Sequence, residues 1–345
     1  MIIAIIWITF ALLFHNLSET MKNKARIISF AIFTSLVCCA VFLSSNKTPE
    51  PQDNNRTLRL MPNVLPPETP TSIVFAGETI DLTPQDRRER MDKEMLSFTY
   101  SHINTMLIIK RANRLFPIVE PILKEYGVPD DFKYLMIIES NGDPEALSPS
   151  KAGGLWQFLE KTGREYGLEV TEEIDERYHT IKATRAACEY LKDSYELFGD
   201  WLTVAASYNT GRTNVTKRRE RQKEDKAINL VLPEETSRYI FRLMAAKTIF
   251  ESPADYGFML RSCDLYPTIP IEREVTVNSA TIDWADFAKK HGLTFIQLRE
   301  ANHWIRRTKL TNKTGKKYKV QIPDKKALRY NPAKTKAHNP KWVIE

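Results

Sequence analysis

One glutamate of this chain lies on an apolar helix face, where its carboxyl group would be suited to proton transfer. If residues 131–140 are helical, Phe132, Leu135, Met136 and Glu139 follow at i, i+3, i+4 and i+7. Burying an ionised carboxylate without a partner costs several kcal/mol, so the pKa of such a group rises and it keeps its proton. The pattern indicates either a general acid or a glutamate that pairs with a neighbouring helix.

The residues after this glutamate are typical of a ligand-binding loop. Gly153 and Gly154 precede Leu155, Trp156 and Gln157, and two glycines allow the backbone to approach a bound ligand closely. Gln157 is a neutral donor and acceptor, which suits amide or hydroxyl groups. Trp156 is open to two interpretations, either stacking on a sugar ring or packing in the core at the start of a new helix.

Six motifs in a fixed order carry a resemblance to a known family. They are Glu139 with Ser140, GLWQF at 154–158, TGREYGL at 162–168, DER at 175–177, SYNTG at 207–211 and LPEETSRY at 232–239. In this order and spacing, over about residues 126–251, the chain resembles the lytic murein transglycosylases of glycoside hydrolase family 23. Within that family it resembles the membrane-bound type D subgroup.

The resemblance implies a mainly α, lysozyme-like fold with Glu139 as the single catalytic acid and base. It also implies a saccharide groove lined by a set of polar residues, namely Ser148, Gln157, Tyr208, Asn209 and Tyr239. The central motif of the family usually has alanine where this chain has Ser207 and Thr210. The expected activity is non-hydrolytic cleavage of the MurNAc–GlcNAc β-1,4 bond of peptidoglycan, which leaves 1,6-anhydromuramoyl ends. A non-catalytic wall-binding protein and a hydrolytic muramidase remain the alternatives.

A single carboxyl group is compatible with this chemistry. Most glycosidases use two carboxyl groups, about 5–5.5 Å or 6.5–9.5 Å apart. The candidates near Glu139 are Asp143 and Glu145, in a polar loop, and more distantly Asp175. All three are interpreted as turn or cap residues. One carboxyl group is enough if the N-acetyl group of muramic acid assists departure of the leaving group.

The N-terminal residues have the composition of an export signal. Residues 2–14 are nearly all apolar, and a second apolar run at 27–43 follows Lys22, Lys24 and Arg26. Residues 1–45 are therefore predicted to be a signal peptide or an N-terminal membrane anchor. The true start, at Met1 or Met21, and attachment through Cys38 or Cys39 stay open. The predicted location is the bacterial cell envelope, in the periplasm, either released or anchored.

The remaining chain is predicted to contain a linker, a helical domain and a small α+β module. Residues 46–82 are interpreted as the linker: 46–70 are rich in Pro, Asn, Thr and charge and predict a flexible tether, and 72–82 predict a short strand-like piece. Helical apolar spacing continues over 83–256, the predicted lysozyme-like transglycosylase domain. Residues 267–330 follow a β–α–α–β pattern that resembles a LysM domain, with a structural cap on the enzyme as the alternative. Residues 331–345 are interpreted as a basic tail.

The charge of the chain and its residue types limit which partners and cofactors are expected. The formal net charge is +7, and residues 301–345 contain 13 Lys or Arg against Asp324 and Glu345. This excess predicts either binding to an anionic polymer such as the cell wall or lipid, or a solvated basic tail with no specific partner; export argues against nucleic acid. No cofactor is expected, because the histidines lack metal-ligand spacing and no nucleotide-binding motif occurs.

We expect removal of residues 267–345 to spare cleavage of short chains while weakening binding to whole sacculi. The oligomeric state is left open.

Overall fold

The computed structural model describes residues 65–344, and residues from Pro66 onward form one compact unit. Ten α-helices occur in this part of the chain. They are α1 (Gln85–Tyr100), α2 (His102–Tyr126), α3 (Phe132–Ser140), α4 (Glu160–Glu165), α5 (Thr180–Phe198), α6 (Trp201–Thr210), α7 (Arg212–Gln222), α8 (Glu234–Glu251), α9 (Trp284–Lys290) and α10 (Phe295–Ala301). The predicted fold class, a helical domain followed by a small α+β module, is confirmed.

Helices α1–α8 enclose the main core. Helix α3 packs against α2 and α8, and α8 also packs against α1 and α6. Apolar side chains recur on the inward face of each helix and are fully buried, among them Ile109, Phe116, Leu135, Met136, Phe241 and Phe250. Positive-φ residues Gly127 and Gly199 end α2 and α5, as expected for glycine after a helix. This arrangement holds the short α3 between two longer helices.

Part of the predicted linker is folded onto the helical domain. Strands β1 (Ser72–Phe75) and β2 (Glu78–Asp81) form an antiparallel hairpin. Ile73, Phe75 and Leu82 are buried in the main core. The strand-like piece expected at 72–82 is present as this hairpin, and its alternating apolar residues place one face on the domain, which a flexible linker would not do.

The segment before α4 is not helical, contrary to the prediction from its apolar spacing. Residues 154–158 form an irregular turn, and α4 begins only at Glu160. Gln157 has a positive φ of 49°, which a helix does not allow. The turn is closed by two isolated β-bridges, Leu147 to Gly153 and Gly153 to Phe158.

The C-terminal module contains two short antiparallel sheets around α9 and α10. Strand β3 (Ile271–Val277) pairs with β6 (Tyr318–Pro323), and β4 (Thr281–Asp283) pairs with β5 (Lys309–Thr311). The four predicted elements are present; β4 and β5, only three residues each, were not predicted. The module has its own buried core, which includes Trp284, Leu298, Trp304, Ile305, Val320 and Ile322.

The module is joined to the helical domain by shared packing and backbone pairing. Ile174, from the helical domain, is fully buried in the core of the module and forms a β-bridge with Ile305. The amide of Asp175 donates to the carbonyl of Trp304 (2.9 Å), and the amide of Arg306 donates to that of Glu173 (2.9 Å). Removing residues 267–345 would therefore expose Ile174 and break these bonds, so the expectation of a dispensable module does not fit the structure.

The predicted basic tail is also packed against the helical domain. The side chain of Trp342 is 2% exposed and belongs to the main core, and its Nε1 donates to the carbonyl of Phe250 (2.6 Å). His338 Nε2 lies 2.9 Å from Glu120 Oε2, and its amide donates to Asn113 Oδ1 (2.7 Å). We call residues 331–344 the strap, because they cross α2 and reach α8. The composition of this segment indicated a solvated basic tail, because one tryptophan among many polar and basic residues does not stand out as an apolar anchor.

Within residues 65–344, no helix is both long and apolar enough to cross a membrane. The two apolar runs at 2–14 and 27–43 lie outside the described residues, as does the first part of the predicted linker.

Candidate active site

Helix α3 places Glu139 near its C-terminal end. Asp131 fixes the start of this helix, since its carboxylate accepts from the amide of Ala76 (2.6 Å) and from Lys247 Nζ (2.6 Å). Asn141, with φ 53°, ends the helix directly after Ser140. Three of the four side chains that share the predicted face, Phe132, Leu135 and Met136, are fully buried, whereas Glu139 keeps partial access to solvent.

The hydroxyl of Tyr239 donates a hydrogen bond to Glu139 Oε1 at 2.6 Å. Tyr239 is on α8, so the contact joins two helices that are distant in sequence. Burial raises the pKa of Glu139 to about 7, although the Tyr239 hydrogen bond acts to lower it. A carboxyl group with this pKa is close to half-protonated at neutral pH, which suits a group that both gives and takes a proton.

Two further charges on α8 act on Glu139, and the sequence interpretation missed both. Glu235 raises the pKa of Glu139 and Arg242 lowers it. Their positions relative to Tyr239, four residues before and three after, put all three on one helix face. Once Tyr239 had been assigned to the site, this spacing could have identified Glu235 and Arg242 from the sequence.

A buried carboxylate on α1 lies close to Arg242 and to the neighbouring Arg238. Glu94 is 1% exposed; its Oε1 lies 2.7 Å from Arg238 Nε and its Oε2 lies 3.6 Å from Arg242 Nε. Removing one member of a buried charged pair leaves the others uncompensated. Glu94 thus balances the two arginines on the α8 face that also carries Tyr239.

Tyr208 and Gln157 meet at the irregular turn. The hydroxyl of Tyr208 donates to the carbonyl of Trp156 at 2.6 Å. The amide of Gln157 donates to the carbonyls of Gly154 (2.8 Å) and Ala146 (3.2 Å), which holds the strained positive-φ residue in place. Burial and the charge of Glu139 raise the pKa of Tyr208 well above its ordinary value, which places the phenol within electrostatic range of the carboxyl group.

The motif DER at 175–177 supports this turn. Arg177 is 7% exposed, pairs with Asp175 (2.7 Å), and donates to the carbonyls of Lys151 (2.8 Å) and Phe158 (3.0 Å). Gly154 has φ 76°, and a Cβ there would lie 2.0 Å from the Arg177 carbonyl oxygen. The two-glycine loop thus lets backbone approach backbone, whereas the sequence interpretation had assigned the close approach to a ligand.

Trp156 is a core residue. Its side chain is 0% exposed, and its Nε1 donates to Thr184 Oγ1 at 2.9 Å. Of the two interpretations drawn from the sequence, packing fits the structure and stacking on a sugar does not.

Of the two remaining predicted site residues, Asn209 is connected to the cluster around Glu139 and Ser148 is not. Asn209 Oδ1 accepts from Thr236 Oγ1 at 2.8 Å, one helical turn before Tyr239 on α8, so Asn209 belongs to the same cluster. Ser148 lies in the adjoining loop, where its hydroxyl accepts from the amide of Ala152 (3.0 Å) and contacts Ser150 Oγ (2.9 Å). Among residues 65–344, no hydrogen bond joins Ser148 to the other site residues.

The other candidate carboxylates are all neutralised by arginine. Asp143 pairs with Arg111 (3.1 Å) and Asp175 with Arg177. Glu145 contacts Arg299 and lies 3.4 Å from Arg306. These pairs fit the interpretation of all three as structural residues.

Comparison with known families assigns both parts of the chain. Residues 117–231 match the Transglycosylase SLT domain, and residues 273–326 match the Soluble lytic transglycosylase C-terminal LysM-like domain. This chain contains an SLT domain and a LysM-like domain. The first match includes Glu139, Gln157, Tyr208 and Asn209, whereas Tyr239 lies eight residues beyond it.

Two curated relatives have similar sequences over most of the chain. The chain is 30% identical, over 261 residues, to Membrane-bound lytic murein transglycosylase D of Escherichia coli strain K12 and of strain O6:H1. The alignment covers 73% of this chain and 56% of each relative, so the chain spans just over half their length. Membrane-bound lytic murein transglycosylase F of Klebsiella pneumoniae is 24% identical over 123 residues, 32% of this chain and 23% of the relative.

Proposed function

We propose that this chain is an exported lytic transglycosylase that cleaves the β-1,4 bond between MurNAc and GlcNAc in peptidoglycan without using water. The observation that carries the proposal is the state of Glu139, a carboxyl group with a pKa of about 7 and one oxygen bonded to Tyr239. The SLT domain around it and the names of its relatives support the same reaction.

The first step needs the protonated form of Glu139. Its proton passes to the glycosidic oxygen as the bond from that oxygen to C1 of MurNAc breaks, and the N-acetyl carbonyl of the same sugar stabilises C1. Because Tyr239 occupies Oε1, we assign the proton to Oε2. A carboxyl group with a pKa near the working pH serves this step well.

The second step uses the carboxylate that remains. It takes the proton of the 6-hydroxyl group, the 6-oxygen bonds to C1, and the 1,6-anhydro ring closes while the N-acetyl group is released. Glu139 regains its proton, so the enzyme ends the cycle unchanged. The Tyr239 hydrogen bond stabilises the carboxylate between the two steps.

Four further residues are proposed to line the saccharide groove: Gln157, Tyr208, Asn209 and Ser148. Within the described residues, Asn209 Nδ2 and Gln157 Oε1 have no hydrogen-bond partner, so one remains able to donate and the other to accept. Tyr208 fixes the turn that carries Gln157. Ser148 is retained on the resemblance alone.

The cell wall is the proposed partner of both domains. We propose that the LysM-like domain adds a second contact with peptidoglycan glycan strands, joined to the SLT domain by the packing around Ile174. The apolar runs near the N-terminus support a location in the cell envelope, with the membrane as a further partner if residues 27–43 act as an anchor.

Mass spectrometry of sacculi digested with the full chain tests this proposal. We expect muropeptides with 1,6-anhydro ends. Products with hydrolysed reducing ends would instead identify a muramidase, and intact sacculi that bind the protein would identify a wall-binding protein.

A further inference from the structure

A cleft of about 480 Å³ lies between the SLT domain and the LysM-like domain. Its walls include Arg114 of α2 and Tyr178 from the first domain, and Glu300, His303 and Trp304 from the second. The volume is within the range of small-molecule sites, about 300–1,000 Å³. None of the residues proposed for the glycan site lines this cleft, although Gly142 and Asp143, just after helix α3, do.

Most charges at the rim of the cleft are already neutralised within the protein. Asp143 pairs with Arg111 at 3.1 Å. Glu145 contacts Arg299 and lies 3.4 Å from Arg306. The pairs of Glu145 with Arg299 and Arg306 join the two domains, and together with the Asp143 pair they leave little charge for a ligand.

One cation and one anion in the cleft lack such a partner. Arg114 Nε donates to the carbonyl of Pro267 at 3.0 Å, but within residues 65–344 its Nη1 and Nη2 have no hydrogen-bond partner. Glu300 is exposed and forms no hydrogen bond or ion pair in the same part of the chain. Burial lowers the pKa of Arg114, and the attraction of Glu300 only partly offsets this effect. A half-buried guanidinium that no carboxylate contacts directly is costly unless a ligand supplies such a contact.

The remaining walls are neutral and largely aromatic. Burial lowers the pKa of His303 and lowers that of His179 to about 4, so both rings are uncharged near neutral pH. The ring of His179 stacks with that of Trp304, with centroids 6.1 Å apart, and Arg114 lies 5.5 Å from the ring centroid of Tyr266. Such walls suit the backbone and carbon chain of a ligand whose ends are charged.

We propose that this cleft binds a short peptide with a free carboxylate and a free ammonium group, such as the peptide stems of peptidoglycan carry. Arg114 binds the carboxylate through its terminal nitrogens, and Glu300 binds the ammonium group. The proposal rests on the proposed function for its choice of peptide. It adds that the two domains together recognise the peptide part of the wall, while the Glu139 site acts on the glycan.

The test measures binding of an N-acetylated tripeptide that ends in lysine, by calorimetry with the full chain. This probe carries one free carboxylate and one ammonium group and no sugar. We expect amidation of the carboxylate to weaken binding about tenfold in the unaltered chain but not in Arg114→Gln. Acetylation of the lysine side chain should weaken binding to a similar degree, but not in Glu300→Gln.

Matched controls remove the same charges outside the cleft. Arg307→Gln and Glu272→Gln alter exposed residues that do not line it, and both should keep the full penalties for amidation and acetylation. Glu300 is exposed and forms no hydrogen bond or ion pair within residues 65–344, so Glu300→Gln remains informative even if Arg114→Gln disturbs the bond to Pro267.

Two results would overturn the proposal. One is the absence of binding at millimolar peptide; the other is an acetylation penalty that persists in Glu300→Gln. Because the probe contains no glycan, neither result bears on whether the SLT domain cleaves sacculi. A second arm compares glycan strands with and without peptides on the Glu139→Gln background; we expect tighter binding of the strands that carry peptides, and equal affinity for the two would contradict recognition of the peptide part of the wall.

Discussion

At the scale of single residues, the hydrogen bond from Tyr239 makes the two oxygens of Glu139 inequivalent. Oε1 accepts from the phenol at 2.6 Å, while Oε2 has no such donor within the described residues. A bonded oxygen is the better site for negative charge, and the other is the better site for the proton that is transferred. The direction of proton delivery is thus built into the free protein.

Glu139→Gln should abolish turnover while the protein stays folded. The amide has nearly the same size but cannot cycle a proton, and acid–base catalysis of this kind contributes about 10²–10⁴-fold. The measurement is the rate of anhydro-muropeptide release from sacculi, with circular dichroism as the test of folding. A variant that kept more than about a tenth of the original rate would remove Glu139 from this role.

The same substitution should raise stability at alkaline pH. The folded-state pKa of Glu139 is about 7 against an ordinary value of 4.5, so its favourable contribution is complete below pH 4.5 and is lost as pH rises through 7. Above that pH the wild type should be less stable than Glu139→Gln by about 1–3 kcal/mol. Urea unfolding at pH 5 and pH 8.5 measures this, and an equal difference at both values would contradict the raised pKa.

Tyr239→Phe should move the alkaline limb of the pH–rate profile upward by about one unit. The lost hydrogen bond lowers the pKa of Glu139 in the wild type, so without it the carboxyl group keeps its proton to higher pH. Tyr208→Phe is the matched control, because its hydroxyl bonds to the Trp156 carbonyl and not to Glu139. We expect it to slow turnover without a comparable shift, and identical profiles for the two variants would argue against the direct contact.

Sequence spacing predicted the position of Glu139 on its helix but could not by itself assign its role. Glu94 has a similar setting, with Met91, Met95 and Phe98 on the same apolar face, yet it is paired with Arg238. The difference arises from α8, about 100 or more residues further along the chain, which brings a phenol to one glutamate and an arginine to the other. The motifs separated the two cases; periodicity alone did not.

At the scale of elements, the turn formed by residues 153–158 depends on close backbone contact. Here the apolar spacing of Leu155, Trp156 and Phe158 predicted a helix. The fold instead uses Gly154 to place backbone against Arg177 and buries Trp156 against α5. Helix boundaries set by glycine, such as those of α2 and α5, were predictable because the signal is local. The turn was not, because its determinant is a carbonyl 23 residues away.

Gly154→Ala should destabilise the protein by several kcal/mol. Its Cβ would lie 2.0 Å from the Arg177 carbonyl oxygen, and its φ of 76° adds a further cost. Gly167→Ala is the matched control, since that residue has φ 78° and no atom within 4 Å of the added Cβ, so it should cost only about 1 kcal/mol. The measurement is the free energy of unfolding in urea. Equal losses of stability for the two variants would show that the positive φ, and not the contact with the Arg177 carbonyl oxygen, determines the cost of a side chain at position 154.

At the scale of the whole molecule, the strap ties the region after the LysM-like domain to the core of the SLT domain. Trp342 lies against Phe116 and Phe250, with ring centroids 5.6 and 5.9 Å away. Composition could not predict this, because the tail is basic and its anchor is one side chain. The packing of Ile174 was equally unpredictable from composition, because an apolar residue of one domain is buried in the core of the other.

Trp342→Ala should lower the free energy of unfolding by about 3–5 kcal/mol, because a large buried ring and its hydrogen bond to Phe250 are lost. Tyr330→Ala, at a residue that is 75% exposed, should change it by less than about 0.5 kcal/mol. Thermal or urea unfolding of both variants measures the difference. Loss of less than 1 kcal/mol on removing Trp342 would mean that the strap lies on the domain without supporting it.

The strap also makes the completed core of the helical domain depend on residues near the other end of the described chain. The amide of His338 bonds to Asn113 across a sequence separation of 225 residues, and closing a loop of that length is slow compared with forming the local helices. The helical domain cannot complete its core until the LysM-like domain has been synthesised and the strap has docked behind it. The contacts of Trp342 with Phe116 and Phe250 are therefore expected to form late, after the rest of the chain has been synthesised.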